Sequence, residues 1–518
     1  MEAESLSLAA RYSGMAFFAV AFFLAALGAV LLLIRRWPWC SCHVCRAYLS
    51  GSWTKDFTNL GDWYAHLLRE SPTGTVHVHV LGCTVTANPA NVEYMLKTNF
   101  DNFPKGKPFA TVLGDLLGGG IFNVDGDAWR HQRKMASLEL GSVNVRSYAF
   151  NIIAEELETR LMPVLADAAD KGRVLDLQDV FRRFAFDTIC KISFGLDPGC
   201  LDPDETMPAS MSRFADAFDR ASRLCAMRGA AASPLVWKLK RLLDVGSEHE
   251  LRRNIALVDE LAAAMIRERR KLGVDNDSQH DLLSRFMSSS SSYDDDDAHH
   301  SDKYLRDIVV SFLLAGRDTV SSALTTLFML LSHNPDAAAA MRAEAEAAGP
   351  RRAGITYRHL KGLHYAHAVL YENMRLFPPV QFDSKFCAAA DVLPDGTYVD
   401  AGARVMYHPY AMGRMPGIWG PDHDAFRPER WLTGPAGAFV PESLYKYPVF
   451  QAGLRVCLGK ELAITEMKAV GVAVVREFDV EVVGESGCGA CKPKFVSGLT
   501  ASISGGLPVR IRRVATTK

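Results

Sequence analysis

The sequence predicts a mainly α-helical protein with small β-sheets, preceded by one N-terminal transmembrane helix. Amphipathic helical patterns follow one another from about residue 150 to residue 285, and residues 305–332 are mostly apolar without a proline. As a helix, this second segment of about 28 residues would be roughly 42 Å long, which is enough to cross a domain. Alternating residues at 75–86 and 391–405, and a glycine-containing segment at 495–508, predict three β-hairpins.

The segment from Gly14 to Ile34 has the composition of a membrane span, because it contains no charged residue. It is about 21 residues long, or roughly 31 Å as a helix, whereas a cleaved signal peptide normally has a shorter apolar run. Arginines follow the segment more often than they precede it, which places the C-terminal bulk in the cytosol. The sequence is therefore divided into an anchor at residues 1–36, a linker at 37–50 and one large domain at 51–518.

Composition argues against nucleic-acid binding and a disulfide framework, and it leaves the role of three cysteines near the predicted membrane span open. A net charge of −1 gives no reason to expect nucleic-acid binding. Eleven cysteines, an odd number spread thinly over 518 residues, argue against a disulfide framework and fit a reducing compartment. Cys40, Cys42 and Cys45, with His43 between them, are candidate metal ligands, but their spacing is irregular and no second ligand pair follows nearby. Cysteines close to a membrane are also candidates for acylation.

An irregular segment interrupts the long apolar helix. Residues 315–319 read AGRDT, and a glycine followed by an acid and an alcohol is unfavourable within a helix. The glycine alone costs up to about 1 kcal/mol. Because local misfit is expected where a sequence places functional groups, Asp318 and Thr319 are candidate catalytic residues. The alternative is a helix kink that contains a buried threonine.

Two further pairs share a helical face. Trp129 and Arg133 are four residues apart in WRHQR, and Glu372 and Arg375 are three residues apart in ENMR. A surface ion pair would contribute little to stability. A later segment, FRPERW, carries Arg430.

The segment FQAGLRVCLG at residues 450–459 precedes a predicted helix, whose apolar residues at 463, 467, 470 and 474 share one face. Cys457 therefore lies at a helix N-terminus, where the helix dipole and free N–H groups favour a thiolate. Gly453 and Gly459 remove side chains where a flat ligand would approach the backbone. A thiolate held in this way is a ligand for a metal or for haem iron. A lone cysteine is more often a buried structural residue, and the surrounding pattern argues against that alternative.

Taken in order, WRHQR, AGRDT, ENMR, FRPERW and FQAGLRVCLG resemble the motifs of the cytochrome P-450 superfamily of haem-thiolate monooxygenases. The resemblance covers residues from about 45 to 515. It implies the cytochrome P-450 fold, haem b as the cofactor, dioxygen as a co-substrate and Cys457 as the metal ligand.

The same resemblance implies roles for the other motif residues. Asp318 and Thr319 would deliver protons to dioxygen, although Val320 stands where threonine or serine is usual. Glu372, Arg375 and Arg430 would form a buried structural cluster. Lys385 would contact a haem propionate, as a weaker match than the usual arginine because lysine lacks a planar fork. The remaining residues expected to hold the haem are Trp129, Arg133, Phe450, Gly453, Arg455 and Gly459.

A narrower resemblance concerns the substrate. The segments VQFDSKF and YPVFQAGLRVCLGKELAITEMK resemble plant cytochrome P-450 family 94, and VQFDSKF with Val320 is most similar to its C subfamily. This implies oxidation of the ω-carbon of an amphipathic carboxylate, jasmonoyl-isoleucine or its 12-hydroxy derivative, onward to the carboxylic acid. The alternative within the family is a fatty-acid ω-hydroxylase of cutin, suberin or general lipid metabolism. The expected pocket walls are Phe109, Phe122, Phe312, Val380, Phe382 and Leu499.

No flavin or nicotinamide motif is recognised in the sequence, so the resemblance implies that electrons come from NADPH through the microsomal cytochrome P-450 reductase. Lys134, Lys446 and Lys460 are candidates for contact with its acidic surface. We expect a monomer in the endoplasmic reticulum membrane, with a single span and a cytosolic catalytic domain.

Two other classes of haem protein remain as alternatives. A haem-thiolate isomerase or dehydratase acts on a peroxide without an electron partner, but such enzymes tend to lose the acid–alcohol pair that this chain keeps at Asp318 and Thr319. A non-enzymatic haem protein, such as a gas sensor or carrier, would not need that pair.

Overall fold

The computed structural model describes residues 42–202, 207–271, 281–289, 302–349, 356–484, 492–496 and 498–514, with the single residues 20, 24 and 40. Of the predicted membrane span, residues 14–34, only residues 20 and 24 are described, and the rest of the span lies outside the described residues. Within the described part of the chain, one helix is long and apolar enough to cross a membrane, Asp302–His333. Because 67% of its most apolar window is buried within the protein, it is a core helix.

Helices make up most of the described chain, as predicted. In the first half they are α1 His43–Ser50, α2 Leu60–Glu70, α3 Pro89–Glu93, α4 Gly106–Leu117, α5 Gly126–Gly141, α6 Val143–Glu156, α7 Met162–Lys171, α8 Leu177–Phe194, α9 Ala209–Ala230, α10 Pro234–Leu243 and α11 Ser247–Lys271. In the second half they are α12 Leu282–Ser289, α13 Asp302–Leu313, α14 Thr319–His333, α15 Pro335–Ala347, α16 Tyr357–Gly362, α17 His364–Leu376, α18 Pro409–Met412, α19 Pro416–Trp419 and α20 Lys460–Glu477. Helix α1 lies within the segment that the sequence assigned to a linker.

The strands form small sheets at the edges of the helical core. They are β1 Thr75–Val78, β2 Cys83–Thr86, β3 Val174–Asp176, β4 Asp383–Phe386, β5 Asp391–Val392, β6 Tyr398–Val399, β7 Arg404–Tyr407, β8 Phe478–Val482, β9 Phe495–Val496, β10 Ser502–Ile503 and β11 Pro508–Arg513. The four-stranded sheet has the order β1-β2-β7-β4, and a three-stranded sheet has the order β3-β11-β8. Strands β5 and β6 pair with each other, as do β9 and β10.

The three predicted hairpins are confirmed, with one change of boundary. Strands β1 and β2 pair antiparallel with Thr75 opposite Thr86, and Ile503 of β10 lies opposite Phe495 of β9. The middle hairpin is shorter than predicted, because residues 404–407 leave it and pair with β2 and β4 instead.

The long apolar helix is continuous, and its irregular segment is a π-helical turn. Helix α13 leads into the π turn Leu314–Asp318, and α14 begins directly at Thr319. A Cβ atom at Gly316 would lie 2.4 Å from Cγ1 of Ile189 in α8, so a glycine is required for the two helices to pack this closely. Single π turns within α-helices are frequent at functional sites, which agrees with the misfit recognised in the sequence.

Helix α20 follows Cys457 as predicted, and its expected apolar face is buried at Met467, Val470 and Val474. Gly471 brings α20 close to its neighbours, because an added Cβ atom would lie 3.1 Å from Met341 of α15 and 3.4 Å from Leu327 of α14. The position of the turn that carries Cys457 is therefore set by the packing of α20 against the core.

Glu372 of α17 is fully buried and accepts hydrogen bonds from several donors. Arg375 donates to it from Nε and Nη2, both at 2.8 Å, and Arg430 donates from Nε at 2.9 Å. The indole N–H of Trp431 donates at 2.9 Å, and the backbone N–H of Arg427 donates at 2.8 Å.

Arg375 extends this network to the backbone of the segment that precedes the Cys457 turn. It is fully buried, and it donates to the carbonyl oxygens of Gly413, His423 and Ala425. Helix α17 is thereby joined to residues 413–431 through one carboxylate and one guanidinium group.

We expect the Glu372→Gln variant to lower the free energy of unfolding by about 3–5 kcal/mol. The change removes the carboxylate partner of the fully buried Arg375 and one of the two carboxylate partners of the half-buried Arg430, and an unpaired buried charge costs about this much. Urea unfolding of the purified full chain, followed by circular dichroism, measures the effect. The matched control is Glu429→Gln, since Glu429 is exposed and accepts only a 3.3 Å bond from Tyr365 among the contacts described. Equal unfolding midpoints for the two variants would contradict the expectation.

Candidate functional site

Cys457 lies in a turn two residues before Gly459, the N-cap of α20. Its backbone N–H donates to the carbonyl oxygen of Phe450 at 2.8 Å, and its side chain keeps an accessible face. Protein atoms packed around the other sides of the sulfur raise the pKa of the Cys457 thiol. The backbone N–H of Gly459 and the charges of Arg133 and Lys460 oppose this shift without overcoming it. A thiolate at this position is stabilised further when a metal cation binds the sulfur.

The two glycines of the turn, Gly453 and Gly459, have different surroundings. Gly453 has φ of +60°, and a Cβ atom there would lie 1.9 Å from the carbonyl oxygen of Leu96. Close backbone packing thus explains Gly453, and the expectation that it makes room for a flat ligand is not needed. Around Gly459 no atom lies within 4 Å of an added Cβ, so this position leaves open space beside Cys457.

Trp129, Arg133 and Arg455 meet beside this turn. The Arg455 guanidinium lies 4.5 Å from the ring centroid of Trp129, and that of Arg133 lies 5.6 Å from it. Arg133 donates to the carbonyl oxygen of Val456 at 2.6 Å, and Arg455 donates to the Asp125 carboxylate at 2.6 Å. Helix α5 is therefore fastened to the Cys457 turn by two cations and one aromatic ring.

Lys385 of β4 is fully buried and donates to the carboxylate of Asp383 at 2.9 Å. Lys105 donates to the same carboxylate, and so does the hydroxyl group of Tyr407, at 3.0 Å. Burial lowers the pKa of Lys385 to about 7, and the nearby charges of Lys105 and Arg455 add to this effect while Asp383 opposes it.

The two groups of cations are continuous. Asp125 accepts from the backbone N–H groups of Lys105 and Gly106, at 2.9 and 2.8 Å, while it also pairs with Arg455. Lys105 and Lys385 thus contact the Asp383 carboxylate and Arg455 contacts the Asp125 carboxylate, while Arg133 is a fourth basic side chain that contacts neither. One N–H group, Nε of Arg455, is buried without a hydrogen-bond partner. Such a cluster suits a ligand that carries acidic groups.

Asp318 and Thr319 lie where the π turn meets α14. The hydroxyl group of Thr319 donates to the carbonyl oxygen of Ala315 at 2.6 Å. The Asp318 carboxylate contacts Arg317 at 3.1 Å and accepts a 3.4 Å bond from Thr500, at the tip of the last hairpin. Burial raises the pKa of Asp318 to about 6, with Arg317 opposing this shift and Asp219 adding to it.

Comparison with known proteins agrees with this arrangement. A model of the cytochrome P-450 family matches residues 42–499. Over 486 residues the chain is 54% identical to cytochrome P-450 94C1 of Arabidopsis thaliana, covering 93% of the chain and 95% of the relative. The chain belongs to cytochrome P-450 family 94.

Other members of family 94 are also similar over most of their length. Cytochrome P-450 94B1 of Arabidopsis thaliana is 45% identical over 473 residues, with 89% of each chain covered. Cytochrome P-450 94A1 of Vicia sativa is 40% identical over 474 residues, which cover 89% of this chain and 88% of the relative. The chain is thus a plant haem-thiolate monooxygenase that uses haem iron and dioxygen.

The residues present fit a haem group. Cys457 offers a sulfur with an accessible face, as a thiolate ligand requires. Basic side chains outnumber carboxylates in this cluster, and haem b carries two acidic propionates. The buried Nε of Arg455 is a donor still in need of an acceptor. Phe450 is buried behind the turn, where its ring lies 6.5 Å from that of Tyr371.

The expected pocket residues separate into two sets. Phe109, Phe312 and Leu499 pack against one apolar cluster, and Phe312 also packs in a second cluster with Leu458, the neighbour of Cys457. The other three do not join them, since Phe122 and Phe382 are exposed and Val380 is half-buried. Only the first set packs against a shared apolar cluster, and Phe312 connects that cluster to the one that contains Leu458.

Sequence reasoning missed several polar residues of the site. Lys105, Asp125 and Asp383 hold the cation cluster together, and Thr500 contacts the Asp318 carboxylate. Asp383 and Lys385 are two residues apart on one strand, so the alternation of a β-strand was a usable signal for that pair. No local pattern indicated Lys105, which is 278 residues from Asp383 along the chain.

We expect the Cys457→Ser variant to lose the red-shifted Soret band of the ferrous carbonyl complex, because that band depends on thiolate ligation. The measurement is a difference spectrum of the reduced full chain with and without carbon monoxide. The control is Cys387→Ser, a buried cysteine on the four-stranded sheet edge whose thiol donates to the carbonyl oxygen of Ala389. Retention of the band in Cys457→Ser would reject this residue as the ligand.

Proposed function

We propose that this enzyme oxidises the ω-carbon of an amphipathic carboxylate, converting jasmonoyl-isoleucine and its 12-hydroxy derivative onward to the carboxylic acid. The 54% identity to cytochrome P-450 94C1 and the segment VQFDSKF support placement near the C subfamily. The structural observation that carries the proposal is that Phe109, Phe312 and Leu499, called the apolar wall below, pack against one apolar cluster. Phe312 also packs in the cluster that contains Leu458, the residue after Cys457. Such a wall suits the hydrocarbon end of a substrate and leaves its charged end elsewhere.

When bound, the haem activates dioxygen and inserts one oxygen atom into a C–H bond. Cys457 would hold this group through its sulfur, and the basic cluster around Arg133, Arg455 and Lys385 would hold its acidic side chains. Terminal C–H bonds are stronger than internal ones, so selectivity for the ω-carbon must come from positioning. The apolar wall excludes water from the chain end and limits which carbon can approach the site.

Asp318 and Thr319 are suited to moving protons. Burial raises the pKa of the Asp318 carboxyl to about 6, closer to neutral pH than that of an ordinary carboxyl, which suits a group that accepts and releases protons. Thr319 Oγ1 donates to the carbonyl oxygen of Ala315 and leaves its lone pairs available to accept. Thr500 touches the Asp318 carboxylate from the last hairpin, which ties that carboxylate to the pocket wall.

Electron supply by the NADPH-dependent microsomal reductase belongs to the same proposal. Among the three candidate contact residues, Lys134 and Lys446 are exposed. Lys460 is half-buried, with its ammonium 5.8 Å from the ring centroid of Phe450. We therefore expect Lys134 and Lys446 to contribute more to an electrostatic encounter than Lys460.

The location of the enzyme at the endoplasmic reticulum membrane, as a single-pass monomer, is also a proposal. Helix α10 supports it, because that helix exposes apolar side chains and carries basic residues between them. The exposed apolar residues are Leu235, Val236, Leu239, Leu242 and Leu243, and the basic residues are Lys238, Lys240 and Arg241. An amphipathic helix of this kind suits the surface of a membrane.

The substrate is tested with reductase-supplemented membranes and three compounds, jasmonoyl-isoleucine, its 12-hydroxy derivative and lauric acid. We expect NADPH-dependent formation of the 12-hydroxy and then the 12-carboxy product from the conjugates, with the Cys457→Ser variant as the inactive control. Turnover of lauric acid with no turnover of the conjugates would favour the fatty-acid ω-hydroxylase instead. Product formation without NADPH and reductase would overturn the monooxygenase mechanism.

We expect the Thr319→Ala variant to uncouple electron use from product formation, because it removes the hydroxyl group nearest to Asp318 in sequence. NADPH consumption, hydrogen peroxide and product are measured together, and peroxide per NADPH should rise several-fold. Thr325→Ala in α14 is the matched control, since that hydroxyl donates to the carbonyl oxygen of Ser321 at 2.6 Å within the buried helix. Unchanged coupling in Thr319→Ala would reject its role in proton transfer.

A further inference from the structure

Four potential metal ligands meet where the chain enters the folded domain. The ligand atoms of Cys40, Cys42, Cys45 and His79 all lie within 4.8 Å of one another. The three cysteines belong to the start of helix α1 and the residues before it, and His79 lies in the connection between strands β1 and β2. Cys40 Sγ is 3.5 Å from Nδ1 of His79, although the two residues are 39 positions apart in sequence. The fold thus supplies the fourth ligand that the sequence did not show.

The distances are close to those of a tetrahedral metal site. With metal–sulfur bonds of about 2.3 Å and metal–nitrogen bonds of about 2.0 Å, neighbouring ligand atoms are roughly 3.5–3.8 Å apart. The four atoms are therefore gathered to within about 1 Å of that arrangement. Three thiolates and one imidazole are a ligand set that favours zinc over magnesium or calcium, which prefer oxygen ligands.

Backbone groups around the cysteines support thiolate ligands. The N–H of Cys45 points at Cys42 Sγ with a distance of 3.4 Å, and the N–H of Val80 points at Cys45 Sγ with the same distance. Such contacts stabilise negative charge on sulfur and fix the direction of each ligand. The cluster is enclosed on one side, because Cys45 is fully buried while Cys40 and Cys42 are half-buried.

Helix α1 is short and is attached to the core mainly through partly buried side chains, Val44, Ala47 and Tyr48. It has eight residues, and Cys45 is its only fully buried side chain. Beyond the cluster, the hydroxyl group of Tyr48 donates to the carbonyl oxygen of Ala230 at 2.8 Å, at the end of α9. So short a helix is marginal by itself, and a bond to the β1–β2 connection would hold it in place.

We propose that Cys40, Cys42, Cys45 and His79 bind one structural zinc ion, which joins the segment entering the domain to the first β-hairpin. Binding releases the three thiol protons to solvent and leaves the metal with four protein ligands and no open position. The ion fixes helix α1 to the β1–β2 hairpin. It thereby fixes the direction in which residues before position 40 leave the catalytic domain.

The first test is elemental analysis of the full chain, expressed under reducing conditions and purified without chelators. We expect about one zinc per chain alongside one haem iron, and zinc X-ray absorption should show three sulfur atoms at about 2.3 Å and one nitrogen at about 2.0 Å. Haem-loaded protein without zinc would overturn the proposal. Intact-mass detection of a disulfide or of an acyl group on these cysteines would overturn it equally.

Substitutions at the proposed ligands test whether these residues bind the zinc ion. Cys42→Ser and His79→Gln should each weaken zinc binding at least about ten-fold in competition with a chelator, while the carbon monoxide difference spectrum stays unchanged. The matched control is His43→Gln, since His43 lies between two of the ligands but is exposed and outside the cluster. His79 is at the surface, so its variant keeps the test valid if a cysteine variant fails to fold. Equal zinc affinity in His79→Gln and His43→Gln would contradict the four-ligand site.

Discussion

The buried carboxylate of Glu372 is the interaction on which the position of the active site depends. It accepts from two arginines, one indole and one backbone N–H, so both of its oxygen atoms are fully hydrogen-bonded. Arg375 also donates to three backbone carbonyl oxygens. Helix α17 is also bonded to the long core helix, because Asn373 donates to the carbonyl oxygen of Ala323 at 2.9 Å. The segment leading to the thiolate turn is thus held against the same core that carries Asp318 and Thr319.

Local patterns predicted much of this architecture, because they report neighbours within one element. The apolar face of α20, the continuity of the long helix and the strand alternation at residues 75–86 are all properties of adjacent residues. The unfavourable glycine at position 316 was also recognisable from adjacent residues, but the reason for it was not. Contact with Ile189 explains the glycine, and the packing of two helices that far apart in sequence cannot be read from either one.

The parts of the site that sequence reasoning missed depend on tertiary packing. Lys105 and Asp383 come from a helix N-terminus and a strand that meet only in the folded chain, and His79 approaches Cys40 for the same reason. The dipole of α20 was visible in the sequence, whereas the burial that raises the pKa of the Cys457 thiol was not. Electrostatic properties of a buried group depend on everything around it, so they are the last features that a sequence can indicate.

The buried lysine of strand β4 has a consequence for how the site acquires its ligands. Burial lowers the pKa of Lys385 to about 7, and the charges of Lys105 and Arg455 add to this effect while Asp383 opposes it. Any anion that settles beside Lys385 makes the charged form more favourable and draws a hydrogen ion from the surrounding water. Assembly of the complete enzyme is then thermodynamically linked to proton uptake, and mild acidification would favour it.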